Sequence, residues 1–322
     1  MSASSVLDDI ELVSKIDDVL SIRIGDLVVS PFVMPASGCF GPELGRLIPV
    51  TEIGASVTKT VFADQRGGNP TNRVSEIPVG MINSVGIPSY GPGGYLTGLH
   101  PQYVELGVPT IVSVGGHRVP EYAPIVEEIG DANAAAFELN VSCPNLDSHG
   151  DDIGSDPHDV EDVVRQVRAI TKRPILVKMP SMLSSISDCV AAAEFAGADA
   201  VCVANSVPVL ALDPRTREFA LGNRIGGLTG PSIKPIVSRL VWLASQAVSI
   251  PVVACGGITD ADDVLDYLAI GASAVQVGTA NFANPLAMVQ IARELRLRVI
   301  RSGAQSMGEL LRKERPHVAG DR

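Results

Sequence analysis

The six residues from Asn140 to Asn145 combine a thiol with two carboxamides. They read Asn-Val-Ser-Cys-Pro-Asn and follow an apolar run over 134–139, which is typical of a buried strand. Pro144 ends that strand and fixes φ in the turn. Asn side chains donate and accept hydrogen bonds without charge, which suits a neutral, amide-like ligand. The Cys143 thiol can act as a proton acceptor or a nucleophile, and an inert thiol in a proline turn is the alternative.

Two lysines end other apolar runs. Lys59 lies in Thr-Lys-Thr at 58–60, and Lys178 follows Ile-Leu-Val at 175–177. A lysine at the end of a buried strand is costly to desolvate without an anionic or electron-rich partner. A salt bridge, or an ammonium that reaches solvent, would explain either lysine alone. Two lysines directed at one site indicate an electron-rich ligand.

Glycines follow two further apolar runs. Gly256-Gly257 precedes a helical pattern from Asp260, and Gly278-Thr279 precedes one from Pro285. Glycine lets backbone amides approach a phosphate closely, and a helix N-terminus favours negative charge. Together these turns predict a phosphate site, although any one pair could be an ordinary turn. Another wall could come from the glycines ahead of a helical pattern near 232, namely Gly226, Gly227 and Gly230.

Eight short apolar runs supply these residues, and most are followed by an amphipathic helical pattern. Runs that are apolar throughout are typical of strands buried on both faces. Eight of them predict an α/β fold, a (β/α)8 TIM barrel whose active site lies at the carboxyl ends of the strands. The Gly/Pro-rich stretches 61–108 and 206–231 predict loop insertions over that mouth, and 91–94 predicts a loop within the first. The predicted strands are 28–36, 55–60, 109–114, 134–140, 174–179, 200–204, 251–255 and 274–278.

The composition fits one large globular unit. The chain has 322 residues, of which 46% are apolar, and no composition break divides it. We expect an N-terminal arm or helix over 1–24 and one barrel catalytic domain over 25–322. Apolar residues at near-helical spacing between 6 and 20 have a strongly acidic opposite face, which favours a packing helix over a membrane-surface helix.

Charge and cysteine usage argue against several function classes. The net charge is −11 and no run of Lys or Arg exceeds two, so we expect no nucleic-acid partner. The five cysteines are widely spaced and form no Cys-x-x-Cys, which favours reduced thiols without a metal or iron–sulfur site on this chain. The sequence has neither an 18-residue apolar run nor a visible signal peptide, so we expect no membrane association and a cytoplasmic location.

Ten segments, in order along the chain, resemble motifs of the dihydroorotate dehydrogenase family. The resemblance extends over about residues 25–290, and it is the combination that is specific. Cys rather than Ser at 143 resembles soluble class 1, and 226–231 and 278–282 are most similar to its B-type catalytic subunit. The segments are 36–41 (ASGCFG), 58–60 (TKT), 67–70 (GGNP), 83–86 (NSVG), 140–145 (NVSCPN), 177–178 (VK), 205–206 (NS), 226–235 (GGLTGPSIKP), 255–258 (CGGI) and 276–280 (QVGTA).

This resemblance implies FMN-dependent oxidation of dihydroorotate to orotate in de novo pyrimidine biosynthesis, an oxidoreductase reaction on a CH–CH donor. Cys143 would remove the C5 proton while the C6 hydride goes to flavin N5, and Lys59 would lie between flavin and substrate. Lys178 would face the N1–C2 edge of the isoalloxazine, where negative charge builds on reduction. It also implies a second subunit with FAD and a 2Fe–2S cluster that passes electrons to NAD. We expect a homodimeric core, the commonest closed oligomer.

The resemblance implies the remaining contacts as well. The substrate would be held by Lys59, Asn83, Asn140, Asn145, Asn205 and Ser206. The FMN would be lined by Ala36, Ser37, Lys59, Thr60, Asn140, Lys178, Gly227, Gly256, Gly257, Gly278 and Thr279.

Two segments depart from the B-type pattern. Ser113 stands at the end of the third strand, where B-type members often have Asn, and residues 146–155 bring three Asp and one His to a loop that closes over the substrate. Extra acid near an orotate carboxylate leaves open a flavin-dependent paralog that acts on another cyclic amide or enone. A non-redox phosphate-binding barrel, such as an isomerase or synthase, would explain the glycines but not the paired lysines and the four Asn.

Overall fold

The computed structural model describes residues 15–142, 152–182 and 184–319. Eight parallel strands form one sheet: β1 (Val33–Pro35), β2 (Ser56–Val57), β3 (Thr110–Gly115), β4 (Ala136–Asn140), β5 (Ile175–Lys178), β6 (Ala200–Val203), β7 (Val252–Cys255) and β8 (Ala274–Val277). Neighbours in the sheet are β1, β8, β7, β6, β5, β4, β3 and β2 in turn. Between the two end strands, the Gly54 amide donates to the Val33 carbonyl at 3.0 Å, so the barrel nearly closes.

Helices follow the strands and cover the barrel, which confirms the predicted (β/α)8 architecture. The helix Pro157–Arg168, called α4 below, shows why. Its valines at 160, 163, 164 and 167 form one buried stripe, and the Asp156 side chain caps its first turn by accepting from the His158 amide at 2.9 Å. None of the described helices is long and apolar enough to cross a membrane. The main helices are α1 (Pro42–Gly45), α2 (His100–Val104), α3 (Tyr122–Ile129), α4 (Pro157–Arg168), α5 (Ile186–Phe195), α6 (Lys234–Ala247), α7 (Ala261–Ala269), α8 (Ala287–Ser302) and α9 (Met307–Glu314).

The predicted first strand, 28–36, contains two elements. Leu27–Val29 pairs with Ile22–Ile24 in an antiparallel hairpin, and β1 begins only at Val33. The break falls at Pro31, which has no amide hydrogen to offer a sheet. The hairpin covers the amino end of the barrel, where the Gly25 turn lies against Pro174 and Asp199. A helical turn over 15–19 precedes it.

The two stretches that were predicted as loops carry secondary structure. Strands Val207–Leu210, Ile225–Thr229, Gly80–Asn83 and Val74–Ile77 form an antiparallel sheet, in that order, which we call the mouth sheet. The loop prediction for 91–94 is wrong, because Gly91–Gly94 is helical and continues through a π-helical turn into α2. Tyr95 and Tyr103 are buried on this segment, so their packing outweighs the low helix propensity of glycine.

An ion-pair cluster joins α6, α7, α8 and α9. Lys234 Nζ contacts Asp263 Oδ1 at 2.5 Å and Asp266 Oδ2 at 2.8 Å. Arg298 on α8 contacts Asp262 and Glu314, and Arg315 contacts Asp266 and Asp262. Asp263 also accepts from the Thr259 amide and hydroxyl, both at 2.7 Å. Burial raises the pKa of Asp263, but the Lys234 and Thr259 hydrogen bonds outweigh it and leave the pKa below its ordinary value. The cluster therefore fixes the start of α7 against α6.

The Asp263→Asn variant should unfold more easily at neutral pH than the wild type, by about 1–3 kcal/mol, because a charged hydrogen-bond acceptor is lost. A depressed folded pKa contributes stability that is present above the unfolded value of about 3.9 and lost as pH falls through the folded value. The difference should thus shrink below about pH 4. Chemical denaturation of both proteins across pH measures it, with Asp162→Asn at an exposed site as the control. A difference that stays constant with pH would contradict the charge assignment.

Candidate active site

Hydroxyl and amide side chains form a hydrogen-bonded group where β1 to β4 end. Ser37 Oγ donates to the Thr58 carbonyl at 2.8 Å and lies 3.3 Å from Thr60 Oγ1. Thr60 Oγ1 is 3.0 Å from Ser113 Oγ and accepts from Asn140 Nδ2 at 3.4 Å. Ser113 thus supports Thr60. The group fixes the orientation of the Asn140 carboxamide at the barrel mouth.

A second chain of hydrogen bonds continues from Asn140 across the mouth. Ser142 Oγ donates to Asn140 Oδ1 at 2.5 Å, and Asn205 Nδ2 donates to Ser142 Oγ. The Ser206 amide donates to Asn205 Oδ1 at 2.8 Å. The structure therefore brings together three of the predicted substrate residues. Ser142 joins them, and it is not among the residues predicted for the site.

Lys59 lies beside the first turn after β1. A Cβ built on Gly38 would lie 2.8 Å from Lys59 Nζ, and Gly38 has a φ of +77°. A larger residue at 38 would both strain the backbone and displace the ammonium. Lys59 thus occupies the mouth at the β1 and β2 ends.

The mouth sheet brings Asn83 and Gly227 to the same place. Asn83 Nδ2 donates to the Gly227 carbonyl at 3.3 Å, and the two residues are paired in register. A Cβ on Gly227 would lie 2.0 Å from Ser206 Oγ. Gly227 therefore belongs to a strand that packs against predicted substrate residues, and only a glycine fits there.

The glycines after β7 and β8 form a concave backbone surface. Gly256 and Gly257 have φ values of +146° and +72°, and a Cβ on Gly257 would lie 2.9 Å from the Lys234 backbone nitrogen. Tyr267 Oη donates to the Gly256 carbonyl at 2.6 Å and so fixes this turn. Within the described residues, no protein acceptor is seen for the amides of these turns, which are those of Gly256, Gly257, Gly278 and Thr279. Such a row of amide donors suits a phosphate.

The wall between this surface and Lys59 is formed by β1 and its neighbour β8. A Cβ on Gly278 would lie 3.5 Å from Ala36 Cβ and from Cys39 Sγ, so there is only ordinary contact distance between the two strand ends. Ala36 is buried. The predicted cofactor residues at the ends of these strands are therefore contiguous with the glycine surface.

Lys178 is a buried cation at the end of β5. Its Nζ lies 3.8 Å from Cys255 Sγ and 3.5 Å from Gln276 Oε1. Burial by itself lowers the pKa of Lys178, but Cys255 and the Glu138 carboxylate outweigh it and hold the pKa above its ordinary value. The barrel therefore favours an ammonium at its mouth, which suits an electron-rich ligand edge.

Three thiols surround this cation. A hydrogen bond from Cys202 and the charge of Lys178 lower the pKa of Cys255 to about 7, although burial opposes them. Burial raises the pKa of Cys202, and its hydrogen bond to Cys255 raises it further. Burial likewise raises the pKa of Cys39, to about 11. Cys255 is thus the thiol of the three that ionises most easily.

Two predicted residues, Cys143 and Asn145, lie outside the described residues, and their roles stay predictions. The side chains that the sequence did not reveal are Ser142, Gln276, Glu138 and Cys255 as partners of Lys178 or Asn140. A signal existed for Glu138, because it is a charged residue inside an apolar run and shares a strand face with Asn140 two residues later.

The chain is similar to known proteins over most of its length. The family model described as dihydroorotate dehydrogenase matches residues 19–299. The catalytic subunit of dihydroorotate dehydrogenase B (NAD(+)) from Bacillus pumilus is 37% identical over 304 residues, which are 94% of this chain and 98% of that protein. The subunits of the same name from Desulforudis audaxviator and Trichlorobacter lovleyi are 37% and 38% identical over 90% and 91% of this chain, and over 96% and 97% of their own lengths.

Alkylation of Cys255 by iodoacetamide in ligand-free protein should rise around neutral pH. Cys189, a fully buried thiol on α5 whose pKa burial raises to about 11, should react far later and is the internal control. Lys178→Met should move the Cys255 midpoint upward by about one pH unit, since it removes an opposite charge. Mass spectrometry of the two peptides across pH measures both midpoints. An unchanged Cys255 profile in Lys178→Met would show that the ammonium does not act on this thiol.

Proposed function

The chain belongs to the dihydroorotate dehydrogenase family, and from this premise we propose that it oxidises dihydroorotate to orotate with a bound FMN in pyrimidine biosynthesis. One observation carries the proposal: a buried lysine, a glycine surface and a row of carboxamides meet at one barrel mouth. A non-redox phosphate-binding barrel would explain the glycine surface but not the paired lysines and the carboxamides. The family is one of flavin-dependent oxidoreductases that act on CH–CH donors.

The residues present fit FMN. Its phosphate would be bound by the amides after β7 and β8, and its ring would lie along the ends of β1 and β2 near Ala36 and Ser37. The ammonium of Lys178 would face the electron-rich edge of the ring, where an anionic reduced form needs a counter-charge. When bound, the flavin supplies the acceptor for the hydride from C6 of the substrate.

The carboxamides of Asn83, Asn140 and Asn205 would hold the pyrimidine amides, because each offers both a donor and an acceptor. Their orientations are set in advance by Thr60, Ser142 and the mouth sheet. Asn145, Ser206 and Lys59 would complete the substrate contacts. Cys143 would take the C5 proton. The proton and the hydride thus leave C5 and C6, the two carbons between which the double bond forms.

We further propose that electrons leave through a second subunit. The relatives are named catalytic subunits of an NAD(+)-linked enzyme, and this chain has no iron–sulfur ligand spacing and no nicotinamide fingerprint in its sequence. A partner subunit with FAD and a 2Fe–2S cluster would supply the iron–sulfur site and the reaction with NAD. It would bind to a homodimeric core formed by this chain. A cytoplasmic location fits this assembly and stays a prediction.

Dihydroorotate should bleach the flavin absorbance of the purified protein under anaerobic conditions. Cys143→Ala should retain FMN but slow this bleaching by about 10²–10⁴-fold, the usual contribution of a general base. Wild-type bleaching should accelerate toward about pH 9, since a thiol has an ordinary pKa of about 8.5. Stopped-flow absorbance measures each rate, and Cys189→Ala, remote on α5, is the matched control. Full activity in Cys143→Ala would remove this thiol from the reaction, and no bleaching of wild-type flavin would favour a paralog with another substrate.

The isolated chain should reduce artificial dyes with dihydroorotate but reduce NAD poorly or not at all. Steady-state turnover with NAD, fumarate and dyes in parallel makes the comparison under one set of conditions. Efficient NAD reduction by this chain alone would contradict the two-subunit proposal. Efficient fumarate reduction would instead assign the chain to the A-type.

A further inference from the structure

Glu138 is a buried acid that the proposed reaction does not use. It lies in the middle of β4, its side chain is fully buried, and its carboxylate reaches Gln276 on β8. Because β4 and β8 are not neighbours in the sheet, this hydrogen bond crosses the barrel interior. A carboxylate in such a place is costly unless it meets a cation or enough donors, and its Oε1 has no hydrogen-bond partner in the described structure.

Gln276 connects this acid to Lys178. Its Nε2 donates to Glu138 Oε2 at 2.5 Å, while its Oε1 accepts from Lys178 Nζ at 3.5 Å and from Cys202 Sγ at 3.3 Å. An amide has its donor and its acceptor on separate atoms. A carboxylate on the donor side therefore turns the carbonyl of Gln276 toward the ammonium. The result is a continuous path from the centre of the barrel to its mouth.

Lys178 needs such a counter-charge. Its groups in reach come from four elements: Glu138 on β4, Cys202 on β6, Cys255 on β7 and Cys39 after β1. Burial alone favours the neutral amine, so these neighbours decide whether the proton stays. The three thiols are weak acids, and Glu138 is the carboxylic acid of the set. Its charge is thus the component that does not depend on a thiol being ionised.

We propose that Glu138 is a positioning residue that acts through Gln276 to keep Lys178 protonated and directed at the flavin, and that it thereby sets the reduction potential of the bound cofactor. The inference rests on the proposed function, because it requires a flavin beside Lys178. A purely structural role for Glu138 would leave the proton uptake on flavin reduction unchanged. Under this proposal, loss of the Glu138 charge must change how many protons accompany that reduction.

The test is the midpoint potential of the bound flavin in the holoenzyme, measured between about pH 6 and about pH 9. A chemical reductant with reference dyes gives the potential without the substrate. In the wild type Lys178 stays protonated in both redox states and adds no proton uptake. In Glu138→Gln, at pH values where Cys255 is still an uncharged thiol, we expect Lys178 to lose its proton in the oxidised protein and to regain it on reduction. One extra proton per two electrons steepens the slope by about 30 mV per pH unit.

Two controls separate charge from packing. Glu138→Asp keeps the carboxylate and should retain the wild-type slope. Glu127→Gln removes the same charge from an exposed position on α3 and should also leave the slope unchanged. A Glu138→Gln slope equal to that of the wild type would overturn the proposal. So would an identical change in Glu138→Gln and Glu138→Asp, which would indicate packing alone.

The bridging amide provides an independent variant. Gln276→Met keeps the volume but removes the link, and it should show the same steeper slope whether or not Glu138→Gln folds. A wild-type slope in Gln276→Met would refute the relay. Failure of dihydroorotate to reduce the wild-type flavin would contradict the proposed substrate alone, since the chemical titration still reports the slope. A protein that keeps no flavin after reconstitution would overturn this inference together with the cofactor proposal.

Discussion

One ammonium buried in an apolar barrel constrains the rest of the site. Lys178 ends a strand that is buried on both faces, and removing a charge from water in this way costs several kcal/mol unless partners compensate. Compensation comes from the thiol of Cys255 and, through Gln276, from Glu138. These partners lie on β7, β8 and β4, so the charge is stable only when the barrel has closed. Closure of the barrel and stabilisation of the Lys178 charge therefore depend on each other in this protein.

The barrel mouth has two regions that differ in their hydrogen-bonding groups. The amides after β7 and β8 have no protein acceptors among the described residues, which suits a phosphate. The ends of β1 to β4 and of β6 carry hydroxyls and carboxamides that bind one another in series. That series holds Asn140 and Asn205 in fixed orientations before any ligand arrives. A preorganised amide edge costs less to bind than a mobile one, because the ordering entropy is lost at folding. The mouth sheet adds Asn83 from above the barrel.

The supports of the site lie behind it. Tyr122 Oη donates to the Asn140 carbonyl at 2.8 Å from α3, and Tyr267 holds the Gly256 turn from α7. The ion pairs of Lys234 and Asp263 attach α6 to α7 beside the same glycines. These two turns are thus braced by helices, one that follows the neighbouring strand β3 and one that follows β7 itself. This arrangement explains why a reactive site can occupy loops and still keep a defined shape.

The sequence by itself determined the strand count, the barrel and most strand ends. A strand buried on both faces is apolar throughout, so it can be recognised without knowing which strands lie beside it. It also placed Lys59, Lys178, Asn140, Asn205 and the glycine turns at those ends. Only the tertiary structure decided what pairs with what: Glu138 with Gln276 across the barrel, Ser142 between two Asn, and Gly227 against Ser206. Residues 91–94 are helical because Tyr95 and Tyr103, on the same segment, are buried, and this too is a tertiary effect. Such contacts join residues far apart in the chain, and local periodicity holds no information about them.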